Sequence, residues 1–104
     1  MRKSKYSYYT LVPLPQELEE AYKRKFGLID RNHTDIVREA LYEAWEAWDG
    51  YDGPVVYNTW KYFVKVGVSE DFYRFYHTLT LAERLEFNRR FVKTLKQKLA
   101  EVQK

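Results

Sequence analysis

Hydrophobic and polar positions alternate too densely in residues 6–14, Tyr-Ser-Tyr-Tyr-Thr-Leu-Val-Pro-Leu, for any helical period, and the β-branched and aromatic residues there predict a strand. Pro13 cannot donate to a ladder, and Pro15 pre-sets a first helical turn. Glu17, Glu19 and Glu20 follow where the helix dipole favours acids, and Leu18, Ala21, Tyr22 and Phe26 keep a helical period that Gly27 closes. After a connector, Asn32 is placed to cap a second helix with Thr34 and Asp35 in its first turn. Ile36, Val37, Ala40, Leu41, Ala44, Trp45 and Trp48 give that helix a broad apolar face.

Residues 49–54, Asp-Gly-Tyr-Asp-Gly-Pro, cluster chain breakers and mark the expected boundary between subregions. Residues 55–66 suit either a helix, through Val56, Trp60, Phe63 and Val64, or a strand, through their density of Val, Tyr, Trp and Phe; the reading taken is a helix. Ser69, with Glu70 and Asp71 behind it, predicts a short capped helix bearing Phe72, Phe75, Tyr76 and Leu79. Thr80-Leu81-Ala82-Glu83 has capping-box spacing, and a last helix should run from there nearly to the end. Leu81, Leu85, Asn88, Val92, Leu95, Leu99 and Val102 step by four and three along it as a heptad seam. Its flanking cations disfavour self-pairing, while Phe87 and Phe91 widen the apolar face for packing on the helix's own domain.

Order in the N-terminal half brings out a resemblance. Strand, proline, helix, glycine-containing turn and capped helix, with Leu14-Pro15-Gln16-Glu17-Leu18 and Asn32-His33-Thr34-Asp35-Ile36-Val37-Arg38-Glu39-Ala40-Leu41, resemble the ribbon-helix-helix DNA-binding proteins of the MetJ and Arc type over residues 6–48. The resemblance implies a mainly α fold: one short strand paired antiparallel across a homodimer, two helices, and a C-terminal helical extension. The organisation expected is a basic arm (1–5), a ribbon-helix-helix module (6–50) and a helical extension (54–104) packed on it. It implies a dimer core of Val12, Leu14, Ile36, Val37, Ala40, Leu41 and Trp45, and a ribbon that enters the major groove of double-stranded DNA. The DNA contacts would be Arg2, Lys3 and Lys5 on the arm, Tyr9, Leu11 and Pro13 on the strand, and Asn32, His33 and Thr34 at the helix start, where free N–H groups meet a phosphate. That strand face is unusually apolar for the family, and the connector between the helices is longer.

Composition narrows the alternatives. With 104 residues, 45% hydrophobic and 18% aromatic, one core is affordable in a single domain. No apolar run is long enough for a bilayer span and the first residues are not an apolar leader, so a cytoplasmic protein (of a host, if the protein is viral) is expected. Without cysteine, and with only His33 and His77, neither a metal nor another cofactor is expected. No phosphate loop, dinucleotide fingerprint, zinc-protease motif or nucleophile elbow is present, which argues against an enzyme. The net charge of +3 is divided: residues 84–104 carry seven lysines and arginines against two glutamates, whereas residues 17–49 are acidic. Basic ends around an acidic waist suit a polyanion partner. The leading expectation is thus a homodimeric transcriptional regulator, with residues 54–104 available to a protein or effector. The alternative is a structural or assembly protein, because tyrosine-rich, cysteine-free, basic chains resemble small proteins of archaeal viruses and plasmids. An antitoxin arrangement is less well matched, since the tail is aromatic and capped rather than disordered.

Overall fold

A computed structural model describes residues 6–18, 20, 33–57 and 60–102, without the side chains of His33, Thr34 and Val102. Strand β1 (Tyr8–Leu14) leads into a helical turn at residues 16–18, where the Leu18 N–H donates to the Pro15 carbonyl at 3.0 Å. Helix α1 (His33–Glu46), strand β2 (Tyr62–Val68), helix α2 (Glu70–Thr78) and helix α3 (Leu81–Val102) follow.

The expected architecture is overturned at the strand. β1 pairs antiparallel with β2 of its own chain, from Tyr8 opposite Val68 to Leu14 opposite Tyr62. The partner strand comes from the same chain, so the cross-dimer ribbon, and with it the ribbon-helix-helix fold, is corrected to a helical protein with an internal two-stranded sheet. The helix expected over 55–66 is corrected too. Tyr62, Val64, Val66 and Val68 alternate with Phe63, Lys65 and Gly67, a period of two that places the first set on the inner face. Valine is stiff at χ1 and packs well on a pleated surface, and β1 offers a whole ladder of hydrogen bonds. The tertiary partner therefore decided a composition that either element tolerates.

The sheet lies on a core drawn from every element: Val12 and Leu14 of β1, Val37 and Leu41 of α1, Val66 and Val68 of β2, Phe72 of α2, and Phe87, Phe91 and Leu95 of α3. Thus Val12, Leu14, Ile36, Val37, Ala40 and Leu41, expected to bury themselves against a second chain, are buried within this one, and Trp45 packs against Phe72 and Phe75. Truncating a side chain as enclosed as Leu41 to Ala costs about 2–5 kcal/mol.

Local signals position the second half. The Ser69 Oγ accepts from the Phe72 N–H to cap α2, while the Ser69 N–H donates to the Tyr42 hydroxyl of α1 at 2.9 Å. Thr80 and Glu83 form the reciprocal capping box of α3: the Thr80 N–H donates to Glu83 Oε1 and the Glu83 N–H donates to Thr80 Oγ1. In the seam of α3, Asn88, Val92, Leu95 and Leu99 are buried in the molecule's own core, with Phe87 and Phe91 beside them. Arg38 ties α1 to the sheet, donating from Nε to the Gly67 carbonyl at 2.6 Å and from Nη1 to Asp35.

Candidate nucleic-acid interface

The strand period sorts the expected contact residues. Tyr9 and Leu11 face outward and are 55% and 62% exposed, and Phe63, opposite Pro13 on β2, is 54% exposed on the same face. Pro13 itself is buried, at the edge of the cleft described next. Lys65 is exposed opposite Leu11, with its Nζ 4.8 Å from the centre of the Tyr9 ring. Arg2, Lys3, Lys5 and Asn32 lie outside the described residues, as do the side chains of His33 and Thr34.

Beside the outer face lies a cleft of about 380 Å³, walled by Tyr9, Leu11 and Phe63 on one side and by Tyr76, His77 and Arg84 at the α2–α3 junction on the other. Trp60, just before β2, lines this cleft and two more. One of these, about 260 Å³, takes in Arg89, Lys93 and Lys96 of α3; the other, about 250 Å³, takes in Pro15, Lys61 and Tyr62. Among the described residues, no aspartate or glutamate lines any of the three. Clefts on α1 are different, lined by Asp35 and Glu39 in one case and by Glu46 in another.

Electrostatics follow the same division. Arg84, Lys93 and Lys61 make no ion pair among the described residues; the Arg84 guanidinium sits 5.3 Å from the centre of the Tyr76 ring instead. Arg84 Nε and Trp60 Nε1 are both buried N–H donors without a hydrogen-bond partner among those residues. An N–H left in that state is costly unless something accepts from it. His77 Nε2 lies 3.2 Å from Thr10 Oγ1; burial first, and the neighbouring Arg84 charge second, hold its pKa below the ordinary histidine value. The Tyr76 hydroxyl donates to Asn88 Oδ1 at 2.7 Å in the core, and burial pushes its pKa up.

What this arrangement offers chemically is a set of cations and N–H donors interleaved with aromatic rings. Among the described residues there is no group of three histidines, aspartates or glutamates suited to a metal ion, and no helix long and apolar enough to cross a membrane. Sequence reading identified Tyr9 and Leu11 but missed Trp60, Phe63, Arg84, Arg89, Lys93 and Lys96 as one surface. Its one signal was the i, i+4, i+7 spacing of Arg89, Lys93 and Lys96, which puts them along one flank of a helix. Comparison with known proteins gives no match: no family model, no curated protein and no solved structure matches the chain.

Proposed function

We propose that the protein binds nucleic acid through the face centred on Trp60. The observation that carries this reading is the charge on that face: three adjoining clefts are lined by Lys61, Arg84, Arg89, Lys93 and Lys96 and, among the described residues, by no carboxylate. Cations beside Trp60, Phe63 and Tyr9, of which Lys61, Arg84 and Lys93 make no ion pair among the described residues, match what a sugar-phosphate backbone and its bases require. Titrating a labelled oligonucleotide at increasing salt tests it. Affinity should fall linearly on a double-logarithmic plot, and reversing Arg89, Lys93 and Lys96 to glutamate should lower both the affinity and the slope. Absence of binding at low salt refutes the proposal.

A second reading is favoured by the exposed apolar side chains of Tyr9, Leu11 and Phe63, which suit a protein contact and hence an assembly role. Sedimentation separates the two. An assembly through this face is broken by Leu11→Asp and is insensitive to nucleic acid, whereas the nucleic-acid reading needs no self-association.

A further inference from the structure

We infer, resting on the nucleic-acid reading above, that the cleft between β1 and the α2–α3 junction seats one unpaired nucleotide, base against Phe63 or Tyr9 and phosphate at Arg84, so that the protein prefers single strands to duplex.

The two walls of the cleft ask for the two halves of a nucleotide. On the sheet side, Tyr9 and Phe63 turn more than half of their surface to solvent, although rings of this size ordinarily find cover. On the helix side, the groups are donors. Among the described residues, Arg84 carries a positive charge that no carboxylate offsets and a buried Nε that nothing accepts from, and Trp60 Nε1 likewise has no acceptor. A guanidinium presents a planar fork that matches phosphate oxygens, and a single unpaired one matches a singly charged phosphodiester. The volume, about 380 Å³, falls within the range of pockets that hold small ligands.

Base pairing decides which nucleic acid can use this cleft. In a duplex both faces of each base are covered by its neighbours and the edges are spent on pairing, so a ring on a protein surface has nothing to stack on without extruding a base. In a single strand the base faces are available, and stacking tolerates any sequence because every base has one. The neighbouring cations Arg89, Lys93 and Lys96 then track the backbone on either side, a task for which strand and duplex are equally suited.

Fluorescence anisotropy on the full chain at low salt tests this, using a mixed-sequence DNA strand, the same strand annealed to its complement, and an abasic strand of equal length. The intact strand should bind roughly tenfold more tightly than the duplex, and the abasic strand, equal in charge but without rings, should lose that advantage. Phe63→Ala and Arg84→Gln should each weaken strand binding by about tenfold and leave duplex binding unchanged, with Arg84→Lys recovering part of the loss; Lys93→Glu should weaken both. Tyr9→Ala serves in place of Phe63→Ala if a circular dichroism melt shows the latter to be unfolded. Equal affinity for strand and duplex, with Phe63 and Arg84 variants silent and Lys93→Glu still damaging, overturns the nucleotide seat and leaves the nucleic-acid reading in place. No binding to any of the three probes overturns both.

Discussion

The two flanks of α3 carry the same residue types to opposite ends. On the flank toward α1, Arg90 donates to Asp49 at 2.8 Å and to Glu86 at 3.0 Å, and Lys98 pairs with Glu43 and stands 4.0 Å from Glu39. Hydrogen bonds to those carboxylates raise the pKa of Arg90 and Lys98, and the Arg90 bond lowers that of Asp49. On the flank toward Trp60, Lys93 has no carboxylate among the described residues, while Arg89 and Lys96 have one each, at 3.3 and 3.6 Å, from Glu86 and Glu17. A cation held by acids of its own fold has spent its field at home, whereas one kept beside aromatic rings and away from acids still has it to offer a polyanion. The difference separates Arg90 and Lys98, whose charge is spent on Asp49, Glu86 and the acids of α1, from Lys93, whose charge is free for a partner, with Arg89 and Lys96 in between.

The most severe way to break this comparison is to reverse the Trp60 flank. Arg89→Glu, Lys93→Glu and Lys96→Glu together should reduce oligonucleotide affinity on the order of hundredfold near physiological salt, with the melting temperature nearly unchanged, as read by anisotropy and calorimetry in parallel. The apolar stripe between the flanks should answer in the opposite way. Tyr76→Phe leaves the buried Asn88 Oδ1 without its donor and should cost about 1–3 kcal/mol of stability by denaturant titration, with the affinity of the folded protein little altered.

A pH titration sharpens the comparison further. His77 faces Thr10 of β1, Tyr73 and Tyr76 of its own helix, and Arg84 of α3. Because burial and then Arg84 depress its pKa in the folded chain, its contribution to stability is complete above the ordinary imidazole value of about 6.5 and is lost as the pH falls through the folded value. A bound phosphate favours the protonated ring, so acidification should lower the melting temperature of the free protein while strengthening its hold on a strand. His77→Gln should flatten both trends.

The smallest effect is expected on the α1 flank, where Arg90→Met and Lys98→Met should lower the melting temperature slightly and leave affinity within about threefold, since exposed ion pairs contribute little. A large loss of binding from these two substitutions would erase the distinction between the flanks.

Much of the molecule's local order was written in short stretches of the sequence. The Ser69 cap, the Thr80–Glu83 capping box, the strand over 8–14 and the face of α1 each depend on residues within a turn or two of one another, and such signals survive without knowledge of the fold. The alternation of Tyr9 and Leu11 against Thr10, Val12 and Leu14 was likewise legible from Pro15 backward. Tertiary structure alone decided which strand β1 would meet, because Tyr62–Val68 lies some fifty residues away and the spacing of Val56, Trp60, Phe63 and Val64 also suited a helix. It also decided which cations stay free. The excess of lysine and arginine in residues 84–104 was plain, and so was the i, i+4 spacing of Glu86 and Arg90, but the pairing of Arg90 with Asp49 and of Lys98 with Glu39 and Glu43 depends on those acids being carried across by tertiary packing. A Coulomb interaction is set by distance in space, and only the closed core brings those charges together.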